Sequence, residues 1–261
     1  MAEASPLDRL SPGDHVCLVV DDEPSRSRGL VAYIRAGLQQ HHRILYQGQG
    51  AGRLRVALAI RGVDVTRAMR SDQLRLIGSG VFDPAAAIDC WRQETARSRA
   101  AGFAGLRAVG DMSGACRCGA DRLAWYESEV SRLLAEGYAS AVCLYDRRLF
   151  SAADLRRVTC SHPTTITHET DPDAVPLLRG VRTVEPRGLR LEGEADLSNR
   201  HALRALMDHL AEDAARSREV LIVDLGGLRF IDAAAARILV GVAGTRIVGC
   251  SPAISRLLAM G

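Results

Sequence analysis

From His15 to Ser161, short apolar runs alternate with longer stretches in which apolar residues recur at helical spacing. A short, unbroken apolar run indicates a strand that is buried on both faces of a sheet. Strands are predicted at residues 15–20, 43–47, 73–77, 105–110 and 140–145, and helices at 27–40, 54–61, 84–101 and 121–135. Strands separated by helices of this length indicate an α/β fold, with a mostly parallel sheet and helices on both faces.

A second, smaller α/β unit is predicted after residue 180. Residues 171–180 are rich in proline and aspartate, which is typical of a linker. A hairpin over 181–185 and 188–192 should precede a helix capped by Ser198, and a strand over 245–250 and a helix from Pro252 should end the unit. We therefore assign residues 1–170 and 181–261 to separate domains.

The composition of the chain excludes several classes of function. The chain is 47% hydrophobic and 25% charged, and its net charge is +3, as in ordinary globular proteins. All 34 basic residues are arginine, so neither a lysine Schiff base nor a phosphate-loop lysine exists. We expect a cytoplasmic protein that does not enter the membrane, because no export signal and no run of about 20 apolar residues is found. The seven cysteines should then be reduced thiols.

Five motifs occur in order along the first unit: Gly13-Asp-His-Val-Cys-Leu18, Leu106-Arg-Ala-Val-Gly-Asp-Met-Ser113, Trp125-Tyr-Glu127, Val142-Cys-Leu-Tyr-Asp-Arg-Arg-Leu-Phe150 and Ser161-His-Pro163. Together they resemble the MEDS family, the methanogen/methylotroph sensory domain of the DcmR-type regulator. The resemblance covers residues 12–165 and implies a RecA/KaiC-like core that senses small hydrocarbon-type, apolar ligands, with no assigned catalysis. The family's Gly-Glu-Met-Ser-Trp is replaced here by Gly110-Asp-Met-Ser-Gly114, which removes an aromatic ring.

A ligand pocket is predicted around three charged residues. Arg107 and Asp111 bracket the end of the fourth strand, and Glu127 is a charge in an otherwise aromatic helical segment. The alternative is a buried arginine–carboxylate pair that only stabilises the fold. Tyr145 and His162 complete the predicted ligand-binding set.

A metal site is the less favoured interpretation of the histidines and cysteines. His15, Cys143 and His162 would have to meet at the strand ends, where open α/β sheets bind ligands. Because His15 starts its strand, we expect it at the opposite end from Cys143, with the histidines in structural hydrogen bonds. Cys116 and Cys118 lack the spacing of a zinc knuckle. We therefore predict no metal and no cofactor.

The centre of the second unit carries another resemblance. A buried strand is predicted at 220–225, then a Gly226-Gly227 turn, and Asp232 caps an alanine-rich helix. The arrangement resembles the STAS family, the sulfate-transporter and anti-sigma-factor-antagonist domain, in which the aspartate is followed by a serine that a partner kinase phosphorylates. Here alanines follow it. The resemblance implies partner binding without phosphorylation at this loop, through Asp196, Ser198, Asp232, Ala233 and Ala234.

Three functions are consistent with these patterns. The first is a cytoplasmic signalling regulator, whose sensory domain controls a STAS-type module that binds an anti-sigma factor, a serine kinase or another sigma-regulating protein. The second is a small-molecule-binding protein in which the STAS unit forms a homodimer. The third, a cryptic nucleotide-binding enzyme, is disfavoured because the loop after the first strand contains three carboxylates, Asp21 to Glu23, and no lysine. We expect no catalytic residues, and no DNA binding because the arginines are dispersed.

Overall fold

The computed structural model describes residues 6–78, 80–167, 170 and 178–260, apart from the side chain of Asp8. The first sheet contains β1 (His15–Val20), β2 (Arg43–Gln47), β3 (Leu74–Ile77), β4 (Leu106–Asp111), β5 (Ala139–Asp146) and β6 (Thr164–Ile166). These six strands are parallel and lie in the order β3-β2-β4-β5-β1-β6. The five strands expected from the apolar runs are therefore confirmed.

Helices cover both faces of this sheet: α1 (Glu23–Gln39), α2 (Ala51–Ile60), α3 (Val65–Arg70), α4 (Pro84–Ala100), α5 (Ala120–Leu134) and α6 (Ala152–Cys160). The side chains of successive β1 residues point to opposite faces of the sheet. Val16 and Leu18 pack in one apolar cluster, whereas Cys17 and Val19 pack in the other. The central strands β1, β4 and β5 are mostly apolar because both of their faces are buried.

Two α-helices and one strand of this unit were not expected from the sequence. The helices α3 and α6 contain 6 and 9 residues, and β6 contains 3. Elements this short show too few apolar repeats to establish a period. Their positions follow from packing on the sheet, which is a tertiary effect.

The second sheet contains β7 (Arg179–Val184), β8 (Arg187–Ala195), β9 (Leu221–Ile231) and β10 (Thr245–Val248). The strands lie in the order β10-β9-β8-β7, and only the β7–β8 hairpin is antiparallel. Helices α7 (Arg200–Ser217), α8 (Ala233–Val240) and α9 (Pro252–Leu258) complete the unit. Its apolar core is a separate cluster that includes Leu203, Met207 and Leu210 of α7.

The predicted Gly226-Gly227 turn is wrong. Strand β9 continues through both glycines, and Gly227 pairs with Glu192 of β8. A Cβ atom on Gly227 would lie 2.6 Å from the Cγ atom of Glu192, so the glycine allows the two strands to approach closely. The two glycines are therefore explained by close packing of strands and not by a reversal of the chain.

Two boundary predictions also need correction. The N-cap position of α7 is Asn199, whereas the Ser198 hydroxyl donates to Oδ1 of Asp196 at 2.6 Å. Residues 171–177 of the predicted linker lie outside the described residues. The linker cannot extend to residue 180, since β7 already begins at Arg179. In the described part of the chain, no helix has both the length and the apolar character needed to cross a bilayer.

Candidate functional site

Four metal-ligand-type side chains converge beneath the first sheet. They are His15 at the start of β1, Glu127 on α5, Cys143 in β5 and His162 between α6 and β6. Their exposed fractions are 1%, 0%, 0% and 0%, so solvent does not reach them. We call these four residues the buried cluster.

Strand register explains why His15 and Cys143 meet. His15 pairs with Ala141 of β5, and Cys143 lies two residues further along the same strand. Residues two apart on a strand point to the same face. The Nε2 atom of His15 is consequently 3.4 Å from Sγ of Cys143. The expectation that His15 lies at the opposite end from Cys143 is wrong, because β5 begins before the position at which it pairs with His15.

The Glu127 carboxylate is the centre of the buried cluster. Its Oε2 atom lies 3.2 Å from Nε2 of His15, 3.1 Å from Nε2 of His162 and 3.3 Å from Sγ of Cys143. Its Oε1 atom accepts a hydrogen bond from the Tyr145 hydroxyl. One potential ligand atom from each of the four cluster residues lies within 4.8 Å of the others.

Hydrogen bonds outside the cluster fix the orientation of both imidazoles. Nδ1 of His162 is 2.7 Å from the carbonyl oxygen of Val158. A carbonyl only accepts, so Nδ1 carries the hydrogen, and the lone pair of a neutral ring is on Nε2. Nδ1 of His15 is likewise 2.9 Å from Oγ of Ser131. Both Nε2 atoms face the cluster.

Burial also shifts the pKa values of these groups. Burial, helped by the nearby charge of His162, lowers the pKa of His15 from 6.5 to about 4, so this ring is neutral at pH 7. Burial alone would raise the pKa of Glu127, but the positive charge that His162 and His15 carry when protonated holds it well below its usual value. Burial and the Glu127 charge raise the pKa of Cys143, so without a metal it is a neutral thiol.

The predicted ligand-binding residues occupy three different places. Glu127, Tyr145 and His162 meet in the buried cluster. Arg107 is near the beginning of β4 and not at its end, and its guanidinium donates to the carbonyl oxygens of Tyr33 at 3.0 Å and Leu10 at 3.2 Å. The prediction that Arg107 shares one site with Asp111 and Glu127 is therefore wrong.

Asp111 ends β4 and forms the arginine–carboxylate pair that the sequence suggested, but with a different arginine. Its Oδ2 atom accepts from Arg26, from the Tyr46 hydroxyl at 2.6 Å and from the Gly50 backbone N–H at 3.1 Å. Oδ1 accepts from the Ser113 hydroxyl at 2.6 Å. Burial opposes ionisation of Asp111, but these hydrogen bonds and the Arg26 charge lower its pKa. Sequence reasoning missed Arg26 and Tyr46. The glycine at position 50 was a signal in the sequence, because any larger residue there would place a Cβ atom against the Tyr46 hydroxyl.

A cavity of about 110 Å³ opens beside Asp111 at the carboxyl edge of the sheet. Open α/β sheets characteristically bind ligands at this edge. The cavity lining includes the apolar and aromatic side chains of Phe82, Met112 and Tyr126, together with the polar side chains of Gln47 and Asp111. Tyr126 precedes Glu127 on α5, so one helix borders both the cavity and the buried cluster.

The predicted partner-binding residues lie on two adjacent segments of the second unit. Ala195 pairs with Ile231, which places Asp196 and Asp232 after neighbouring strand ends. Oδ1 of Asp232 accepts from the backbone N–H of Ala235 at 2.7 Å, so the predicted N-cap of α8 is confirmed. Ala233 is exposed, Ala234 is half-buried and Ser198 is exposed.

Three residues of the buried cluster have sequence neighbours that contact the second unit. Asp14, before His15, accepts from Arg179 of β7 at 2.6 and 2.8 Å. Ser128, after Glu127, lies 2.9 Å from Nε2 of His209 on α7. The third contact joins the carbonyl oxygen of Pro163, after His162, to the Asn199 side-chain amide at 3.3 Å.

Comparison with known proteins gives one family match. Residues 14–163 match the model of the MEDS family, described as the methanogen/methylotroph, DcmR sensory domain. No curated protein is significantly similar to the chain.

Two solved structures are similar at 12% sequence identity. One is the flagellar accessory protein FlaH from Methanocaldococcus jannaschii, with a TM-score of 0.46, covering 73% of this chain and 85% of that chain. The other is a KaiC-like protein from Pyrococcus horikoshii OT3, with a TM-score of 0.47, covering 70% of this chain and 79% of that chain. Similarity at this level carries no conclusion about activity.

Proposed function

Because the matched residues make up more than half of it, the chain belongs to the MEDS family, and we propose that it is a cytoplasmic signalling regulator whose sensory unit controls a STAS-type protein-binding unit. A MEDS domain implies a sensory role. The observation that carries the coupling part of the proposal is the set of three contacts between neighbours of the buried cluster and the second unit. A change at the sensory side would reach the second sheet through these contacts.

The ligand in this proposal is a small, largely apolar molecule in the cavity beside Asp111. An engineered protein cavity of about 150 Å³ holds benzene, so the cavity of about 110 Å³ suits a smaller compound. Phe82, Met112 and Tyr126 supply apolar contacts, while Gln47 and Asp111 offer polar atoms for orientation. Movement of Tyr126 on ligand binding would displace α5, which also contacts the second unit.

The partner surface in this proposal lies around the beginning of α8. Asp196 and Asp232 are close to two exposed apolar side chains, Leu197 at 63% and Phe230 at 49%. Exposed apolar residues within a polar surround are typical of protein-binding surfaces. We propose an anti-sigma factor, a serine kinase or another sigma-regulating protein as the partner, on the basis of the STAS resemblance of residues 219–241.

A capture experiment with a matched control tests this surface. The full chain is immobilised, exposed to extract of the organism that encodes it, and bound proteins are identified by mass spectrometry. Ala233→Asp adds a charge at the first residue of α8, whereas Ala152→Asp adds one at the equivalent exposed position of α6. Aspartate is favourable at both helix starts, so both variants should fold.

We expect a sigma-regulating kinase or factor to be captured by the wild-type chain and by Ala152→Asp, with at least about a tenfold loss for Ala233→Asp, equivalent to ~1.4 kcal/mol. Equal capture by both variants would show that this loop is not the interface. Absence of any sigma-regulating protein from the captured set would reject the partner class. Incubation of the wild-type chain with the captured kinase should add no phosphate to residues 229–238, whereas Ala233→Ser should create an acceptor there.

A further inference from the structure

We propose that His15, Glu127, Cys143 and His162 bind a divalent transition-metal ion, with zinc as the best-fitting ion. This inference concerns the buried cluster alone and does not depend on the ligand or partner proposed above. It reverses the expectation of no metal, which rested on the incorrect separation of His15 from Cys143.

The geometry of the donor atoms is the first argument. Zinc bonds of about 2.0–2.1 Å to nitrogen or oxygen and about 2.3 Å to sulfur give tetrahedron edges of about 3.3–3.6 Å. Four of the six donor–donor distances are 3.1, 3.2, 3.3 and 3.4 Å. All four donors also lie within 4.8 Å of one another. Small side-chain adjustments would complete a four-coordinate site.

The hydrogen bonding of the ligands is the second argument. Metal-bound imidazoles usually donate their other ring N–H to a fixed acceptor, which sets the tautomer. His162 has this arrangement with the Val158 carbonyl, and His15 is placed to donate to Ser131. The Nε2 atom of His162 is buried and has no hydrogen-bond partner of acceptable geometry among the described residues. It lies 3.1 Å from the Oε2 atom of Glu127, and two acceptors at this distance would repel unless a cation or a proton lies close to both of them.

Charge is the third argument. Two neutral imidazoles, one carboxylate and one thiolate carry a total charge of −2, which a divalent ion neutralises. Isolated charges are costly in a site with no solvent access, so neutrality matters here more than at the surface. The sulfur and nitrogen donors favour zinc and its transition-metal neighbours over magnesium or calcium, which prefer oxygen donors.

Binding requires loss of the Cys143 proton. The ion forms a bond to Sγ as the S–H bond breaks, and the proton is released to solvent, so loading is favoured by higher pH. Because all four donors are buried, the ion must enter during folding or a transient opening of the sheet face. The metal should therefore contribute to folding stability, as in closed four-ligand sites.

Elemental analysis of the full chain is the direct test. We expect close to one equivalent of zinc per chain after refolding with zinc and removal of loosely bound metal. Cys143→Ser and His162→Gln should each lose most of it. Cys17→Ser is the matched control, because Cys17 is also a fully buried thiol on the sheet.

The absorption spectrum of the cobalt-substituted protein identifies the metal ligands without an activity assay. Cobalt-loaded protein should show a sulfur-to-cobalt charge-transfer band, together with the strong visible absorption of a tetrahedral centre. The charge-transfer band should vanish in Cys143→Ser and persist in Cys17→Ser. Folded wild-type protein that retains less than about a tenth of an equivalent after loading would overturn the proposal even if the variants do not fold. Equal metal loss in Cys17→Ser and Cys143→Ser would also overturn it.

Discussion

Asp111 and Glu127 are both buried carboxylates of the first unit, yet they have partners of different chemical types. Each side chain is 0% exposed. Asp111 is paired with the guanidinium of Arg26, a cation that keeps its charge at any physiological pH. Glu127 is surrounded by two imidazoles and a thiol, which gain or lose protons and bind metal ions.

This difference indicates different roles for two sites of similar burial. A carboxylate with a permanent cation and several hydrogen bonds fixes the local structure, and here it holds β4 against α1 and the loop before α2. A carboxylate with titratable, metal-binding neighbours responds to its surroundings. Only the second type can report a change in metal or proton concentration to the rest of the molecule.

The largest expected effect comes from removing the permanent cation. Arg26→Met should destabilise the protein by about 3–5 kcal/mol, because it leaves the Asp111 charge buried without its partner. Urea unfolding measures the loss. The double variant Arg26→Met/Asp111→Asn should recover part of it, and zinc chelation should not change the difference. A loss below about 1 kcal/mol would show that the pair is not a structural anchor.

In chelator-treated, metal-free protein, lowering the pH should destabilise the region around Glu127 before it destabilises the region around Asp111. His15 has a folded-state pKa of about 4 and an ordinary value of 6.5, so below pH 6.5 the unfolded chain binds a proton that the folded protein excludes. The stability is complete above pH 6.5 and should fall by on the order of 3 kcal/mol as the pH approaches 4. Asp111 stays ionised through this window, since its pKa lies below 3.8.

Urea unfolding at several pH values between about 7 and 4.5 checks this dependence. His162, Glu127, Cys143, Tyr145 and Ser131 face or adjoin the His15 ring, so none of them should be altered in the test. His15→Gln should flatten the pH dependence, whereas His41→Asn, in the exposed turn after α1, should leave it nearly unchanged. An unchanged slope in His15→Gln would remove the distinction between the two carboxylates.

Two tyrosines provide a matched pair for the next test. Tyr46 donates to Asp111, and Tyr145 donates to Glu127. Tyr46→Phe and Tyr145→Phe should each cost about 1.5–3 kcal/mol, because each removes a hydrogen bond to a buried charge. Only Tyr145→Phe should also weaken zinc retention, by about 10–100-fold. The same loss of zinc in Tyr46→Phe would mean that the two sites are not independent.

The smallest effect concerns the link to the second unit. Ser128→Ala removes the hydrogen bond to His209 and should cost about 1 kcal/mol. Hydrogen exchange should accelerate by about fivefold in α7, since ~1 kcal/mol of local stability is lost there. Ser113→Ala, next to the Asp111 site, should not accelerate exchange in α7. Equal acceleration in the two variants would argue against a specific path from Glu127 to α7.

Local sequence was sufficient for most elements of the first sheet. The strands β1 and β2 begin and end where the apolar runs do, because such runs must be buried on both sides. Asp232 was recognisable as a cap, since a cap depends only on residues within one helical turn. The sequence also placed Asp111, Glu127, Tyr145 and His162 among the candidate ligand-binding residues.

Tertiary structure alone decided which of these residues meet. His15 and Cys143 are 128 positions apart, and their contact depends on the register between β1 and β5 and on the packing of α5 over that face. No short sequence window contains that information, because a shift of one residue would turn Cys143 to the opposite face. The same reason explains why Asp111 pairs with Arg26 and not with Arg107, its neighbour in sequence. The sequence by itself determined five strands of the first sheet and the side chains whose chemistry suits a site, whereas the long-range register and helix packing decided that four such side chains form one closed site.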